Sequence, residues 1–226
     1  MTMAAAGACS EQLDAALRDN RTRIIVKTLV WIAALYPLMS LVTRVVVDPV
    51  SLGANPAETI LHVTGDWTLR FLLLSLAITP LRRITKIGGL IRFRRLLGLF
   101  AFFYGVLHLA AYIGFDRFFV LSEIGADIVK RPFITVGFAA LLLMTPLAIT
   151  STRGWVMRLG GARWQNLHRL VYGVAIFGVV HYWWLVKRDI TDPLLYAAIL
   201  ALLLAYRVIA KAKKTSARES GFPSAR

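Results

Sequence analysis

Six apolar runs, each bounded by charged residues, polar residues or prolines, leave this chain few ways to fold. They cover Ile24–Thr43, Asp66–Leu81, Leu96–Phe115, Pro132–Thr150, Gln165–Val186 and Leu194–Ala210. Their lengths suit a hydrocarbon core about 30 Å thick. There every backbone N–H and C=O must be satisfied within the protein, so the runs are expected to cross as helices. The second run is long enough only if His62–Gly65 sits at the interface, and Pro37 is placed to kink the first. With 58% hydrophobic residues among 226, the chain is too apolar for an ordinary soluble domain. The expected fold class is therefore an all-α membrane protein, a six-transmembrane helical bundle.

The net charge of +15 fits the same picture. Arginine and lysine gather in the stretches 82–95 and 153–163 and near the two ends, whereas the connections 44–65, 116–131 and 187–193 hold few. The positive-inside rule then puts both termini in the cytoplasm. Nucleic-acid binding would need these cations on a free domain or on one helix face, and they lie on neither. The chain divides into an N-terminal cytoplasmic tail (1–20), a six-helix transmembrane domain (21–210) and a basic cytoplasmic C-terminal tail (211–226). The first tail carries Glu11, Asp14 and Asp19 and lacks the order of a signal peptide, so it is expected to be retained. The single cysteine, Cys9, offers neither a disulfide framework nor a thiolate metal site, which leaves metal chemistry to histidine.

Topology turns the histidines into a depth map. The third run starts in the cytoplasm near Arg95, so His108 lies about 20 Å along it at helical rise. The fifth starts near Arg163, with His168 close to the inner face and His181 thirteen residues further on, at the depth of His108. Two neutral imidazoles at one level inside a bundle form an axial pair for a low-spin haem, and polar groups in lipid tend to be functional. His168 is less simply placed. Thirteen residues rotate by about 220° net of whole turns, so it leaves the stripe of His181. Candidates for a second inner ligand are Met144, a five-coordinate iron, a propionate contact, or a single shared site at a different depth.

Other residues carry weaker signals. His62 lies in or beside an external connection and reads as interfacial. Tyr182, Trp183 and Trp184 read as an interfacial aromatic belt, and Gly173 and Gly178 as helix-packing glycines. Most arginines of the basic loops serve topology beside anionic lipid. Arg94, Arg95 and Arg163, nearest the helix starts, are the candidates for binding anionic groups. The chain has no GxGxxG and no Walker loop.

The segments TGDWTLRFLLLSLAITPLR, IRFRRLLGLFAFFYGVLHL, KRPFITVG, TSTRGWVMRLGGARWQNLHRLVY and HYWWLVK resemble, in order and spacing, the MsrQ/YedZ family. These are haem-binding membrane subunits of the bacterial methionine-sulfoxide reductase system, within the wider ferric-reductase-like transmembrane proteins. The resemblance extends from about residue 20 to residue 210. It implies a multi-pass b-type cytochrome of the bacterial inner membrane with one or two haems, His108, His168 and His181 matching the family's ligands. It also implies a periplasmic molybdopterin-containing catalytic subunit that reduces methionine sulfoxide in oxidised proteins. A cytoplasmic flavin reductase or the quinone pool would be the electron donor, and FMN binding has been attributed to the family. Two other classes stay open from the residues alone: a haem-containing quinol-oxidising anchor of another respiratory complex, and a haem-free transporter or scaffold.

Overall fold

The computed structural model describes residues 11–17, 19–186 and 189–219. Expectations that fall on residues 1–10, 18, 187–188 and 220–226, Cys9 among them, lie outside the described residues. A short helix α1 covers 11–17, followed by α2 (Asn20–Val47), α3 (Pro56–Thr85), α4 (Ile91–Ala111), α5 (Leu121–Lys130) and α6 (Pro132–Ile149). Two short helices, α7 (Arg153–Leu159) and α8 (Gly161–Leu167), lead into α9 (Leu170–Leu185) and α10 (Thr191–Glu219). A π-helical turn, Tyr112–Asp116, extends α4, and the described residues contain no strand.

Among the described residues, four helical segments are long and apolar enough to cross a membrane: Asn20–Val47, Gly88–Asp116, Pro132–Ile149 and Thr191–Lys213. The two remaining expected spans are also helices, but of other character. α3 has 30 residues and carries Glu58, Asp66 and Arg70 within its length, while α9 has only 16. Side chains such as Ile25, Leu29, Ile32 and Tyr36 on α2 are exposed, as they are on a helix surrounded by lipid.

Local chemistry sets the boundaries. Asp19 caps α2 by accepting from the Thr22 N–H at 2.9 Å, and Asn55 caps α3 by accepting from the Glu58 N–H at 3.3 Å, with Pro56 in the first turn. α3 ends at Lys86, whose φ of 60° stops the helix. It therefore begins ten residues before the expected run, and His62 lies on the helix, not in a connection. The fifth expected run is also broken. At His168 and Arg169 the α-ladder gives way to a tighter bond, Arg169 N–H to Asn166 C=O at 3.2 Å, so α8 and α9 are separate helices.

The tails are less free than their composition suggests. α10 runs on through Lys211 and Lys213 as continuous helix. Residues 11–17 dock on the turn between α3 and α4, where Asp14 accepts from the Gly89 N–H at 2.8 Å and Arg92 donates to the Leu17 carbonyl at 3.0 Å.

The core lies where α3 packs along α4 and α6 along α9. Leu69, Leu72 and Leu76 of α3 meet Phe100 and Tyr104 of α4, Leu147 of α6 and Val174 of α9. Tyr104 is 1% exposed. Its hydroxyl donates to the Ala34 carbonyl at 2.8 Å and accepts from the Leu38 N–H at 3.2 Å. These two groups would bond each other in a regular helix, so the phenol is inserted into the ladder of α2 beside Pro37.

Candidate functional site

α3, α4, α6 and α9 enclose a cavity of about 530 Å³, within the range of cofactor pockets. His108 of α4 and His181 of α9 both line it. Their ring centroids are 6.1 Å apart and their planes lie at 83°. The His108 Nδ1 is 3.0 Å from the Leu61 carbonyl oxygen, and the His181 Nδ1 is 2.6 Å from that of Phe133. A carbonyl only accepts, so each Nδ1 carries the proton and each Nε2 is left with its lone pair.

Space for the two rings comes from glycine. A Cβ at Gly65 would lie 3.2 Å from the His108 ring, and one at Gly137 would lie 2.6 Å from the His181 Nδ1. Neither glycine stood out in the sequence, because only the fold brings them opposite the imidazoles. Gly173 and Gly178, which read from the sequence as helix-packing glycines, do not face these rings. A Cβ at Gly173 would meet nothing within 4 Å, and one at Gly178 only Leu69 at 3.5 Å.

This donor set fits a haem. A metal bound by two imidazole nitrogens at about 2 Å each needs ring centroids roughly 6 Å apart, close to the separation found. No cluster of three or more His, Cys, Asp or Glu that could hold a metal occurs among the described residues. A ligand pair without further protein donors suits an iron whose other four ligands come with its macrocycle. The remaining wall is largely apolar, with Leu69, Leu72, Phe138, Leu141 and Val174, as a porphyrin requires.

At one end the cavity meets α5, whose Ile124 and Ile128 form part of its wall. This helix is fixed by Asp127, which accepts from the Tyr112 hydroxyl at 2.8 Å, Arg117 Nη2 at 2.6 Å and Arg131 Nε at 3.1 Å. The hydrogen bond with Tyr112, with help from Asp116 and Asp127, raises the pKa of the Arg117 guanidinium above its ordinary value. Asp127 was not singled out in the sequence, although its i,i+4 relation to Arg131 was visible there.

His168 lies apart from this cavity. Its Nε2 is 3.1 Å from the Thr150 Oγ1, whose proton goes to the Pro146 carbonyl at 2.6 Å. Trp164 stacks on its ring at 3.9 Å and donates its Nε1–H to the Thr150 carbonyl at 2.9 Å. Met144 lines the cavity of His108 and His181. Arg94, in the first turn of α4, bears electrostatically on His168 and on Arg207 of α10. Arg207 donates to the Leu76 and Leu203 carbonyls, and its guanidinium lies over the Tyr172 ring at 5.4 Å. Arg95 and Arg163 are exposed. The sequence reading missed Arg207, which sits inside an apolar helix and was counted with the sixth run.

Comparison with known proteins identifies relatives of the chain. Residues 64–179 match the family model described as ferric reductase like transmembrane component. The protein-methionine-sulfoxide reductase heme-binding subunit MsrQ of Herminiimonas arsenicoxydans is 54% identical over 186 residues, 81% of this chain and 84% of its own. The MsrQ of Xanthomonas oryzae pv. oryzae is 52% identical over 216 residues, 92% of this chain and 98% of its own. That of Xanthomonas campestris pv. campestris is 55% identical over 177 residues, 77% and 81% of the two chains. With a ferric-reductase-like core and half its residues shared with these proteins over most of its length, the chain belongs to the MsrQ family of bacterial membrane subunits.

Proposed function

We propose that this protein is a b-type cytochrome subunit of the bacterial inner membrane. In this reading it passes electrons outward to a periplasmic molybdopterin-containing methionine-sulfoxide reductase that repairs oxidised periplasmic proteins. The observation that carries the reading is the pair His108 and His181, each tied through Nδ1 to a backbone carbonyl with its Nε2 left bare. The relatives named above are heme-binding subunits of a methionine-sulfoxide reductase. The reading includes six crossings, by α2, α3, α4, α6, α8–α9 and α10, with both termini cytoplasmic and His108 and His181 toward the outer face.

His108 and His181 would hold the iron of a haem b through Nε2, and the group supplies reversible one-electron chemistry when bound. The Leu61 and Phe133 carbonyls fix ring orientation and tautomer, and they raise the basicity of the ligating nitrogens. Gly65 and Gly137 let α3 and α6 approach the rings. Apolar side chains exclude water, which with the hydrogen bonds sets the potential.

Toward the cytoplasm, His168 with Arg94, Arg95 and Arg163 forms the second, inner part of the site. These residues receive anionic groups, the propionates of a second haem or the phosphate of FMN. A cytoplasmic flavin reductase or the quinone pool supplies the electrons. Haem quantified per chain in the full-length protein, with its Soret spectrum, tests the reading. One or two haems are expected in the wild type. A count of two that falls to one in His168→Ala marks a second haem at His168, and a count of one leaves the inner part to another anionic group. The outer signal is lost in His108→Ala and in His181→Ala. Unchanged spectra in both of the last variants overturn the pair.

A further inference from the structure

Glu58, His62, Asp66 and Arg70 follow one another at intervals of four along α3, so they form one ionisable stripe on a single helix face. Glu58 Oε1 is 3.7 Å from His62 Nε2, and Asp66 Oδ2 is 3.6 Å from Arg70 Nη2. Side-chain exposure falls along it from 62% at Glu58 through 44% at His62 to 25% at Asp66. All three of these residues line the cavity of His108 and His181. Arg70 closes the stripe, its Nε donating to the Tyr196 hydroxyl of α10 at 2.8 Å and its guanidinium lying 5.0 Å over Trp67.

Ion pairing alone does not account for this arrangement. Both pairs are long single contacts at i,i+4 spacing, worth about 0.3–0.5 kcal/mol. Ionisable side chains within a membrane helix are costly and tend to be functional, and the Asp66 carboxylate lies on the wall of the cavity of His108 and His181. Asp66 is faced by His62 and Arg70 on its own helix, by Tyr182 from α9 and by Asp192 from α10, with Tyr196 beyond Arg70.

We propose that the stripe is a proton path ending on Asp66, which takes up a proton from the outer aqueous phase when the group held by His108 and His181 gains an electron. The inference rests on the haem reading above. The electron comes from a one-electron reductant, and the group that His108 and His181 would hold stores it reversibly when bound. One proton from water passes by Glu58 and the two ring nitrogens of His62 to Asp66, where an O–H bond forms, and both electron and proton leave on reoxidation. The added negative charge in a cavity of low dielectric, where Coulomb energies are large, is thereby cancelled beside its source.

The test is the midpoint potential of the haem-loaded, full-length protein titrated against pH. The wild-type potential is expected to change by up to about 59 mV per tenfold change in proton concentration, Asp66→Asn to be flat, and Asp66→Glu to keep the slope. His62→Leu keeps the slope at equilibrium but slows proton uptake roughly a hundredfold, the low end of what one positioned acid–base group supplies. Proton uptake on reduction, followed with an indicator dye in weak buffer, decides the matter in the wild type even if Asp66→Asn does not retain haem. Uptake of one proton per electron supports the path. A flat wild-type potential without uptake, or a slope unchanged in Asp66→Asn, overturns it. A protein without any Soret band overturns the haem reading itself, whereas a Soret band with a flat potential overturns only the path.

Discussion

Gly137 stands so close to His181 that a methyl group on its Cα would lie 2.6 Å from the imidazole Nδ1. That distance is shorter than any contact the two groups can hold, and the same Nδ1 is engaged by the Phe133 carbonyl one turn earlier on α6. Gly137→Ala therefore has to push the ring or part the helices α6 and α9. The expected outcome is a loss of about 1–3 kcal/mol, the usual cost of overpacking, together with most of the bound haem. Gly65→Ala, where the contact with His108 is 3.2 Å, is milder. Gly173→Ala, with open space around it, keeps its haem and its stability. Haem retained after purification and thermal unfolding in detergent rank the three. An effect of Gly173→Ala as large as that of Gly137→Ala contradicts this account.

The Tyr104 hydroxyl completes the backbone of another helix, so its removal is felt on α2. Tyr104→Phe leaves the Leu38 N–H and the Ala34 carbonyl without their bridging partner. Each is buried or half-buried, and stranding such groups costs about 1–3 kcal/mol. The variant is expected to unfold earlier on heating, with its haem spectrum unchanged. A displaced Soret band instead would mean that the phenol reaches the cofactor.

What the sequence made legible follows from which distances are fixed by simple geometry. The matched depth of His108 and His181 could be worked out because rise per residue and membrane thickness are constants, and the two rings do stand within 6.1 Å. His168 could not be placed that way. Its helix breaks at residues 168 and 169, and a break of this kind leaves no periodic trace in the sequence. The early start of α3 was readable in principle. Asn55, Pro56 and Glu58 are an N-cap, a first-turn proline and an acid of the first turn. They read as a connection because the polar residues that follow, which lie on one helix face, break the apolar run. Gly65 and Gly137 were beyond reach, since a glycine's role depends on what the fold sets against it.

Asp127 holds the connection that covers one end of the cavity. It is buried, and it is shared by Tyr112, Arg117 and Arg131. Asp127→Ala strands the Arg117 guanidinium with only the longer contacts to Asp116 at 3.3 Å and Glu123 at 3.7 Å. Losing the best partner of a half-buried charge in this way costs about 1–3 kcal/mol. α5 is expected to become accessible to protease in the variant, with cleavage between residues 112 and 131, while Asp127→Asn is less affected because it still accepts from one donor. Equal protection of the wild type and Asp127→Ala counts against the role given to this carboxylate.

Thr150 bears on the inner part of the site. Its hydroxyl proton goes to the Pro146 carbonyl, so the bond with His168 has Nε2–H as donor and Thr150 Oγ1 as acceptor. Ligation of an iron through that nitrogen requires the bond to break and the proton to move to Nδ1. The hydroxyl thus competes with a metal at His168, by about 1 kcal/mol if the bond has the usual net value. Thr150→Val removes the competitor and leaves the Trp164 bond to the Thr150 backbone carbonyl in place. The affinity of the haem fraction that depends on His168 is expected to rise by up to about fivefold, the equivalent of that energy, with the His108–His181 signal unaltered. Haem titration of the variant beside His168→Ala checks this. A fall in affinity would show that the threonine supports the inner ligand instead of competing for it.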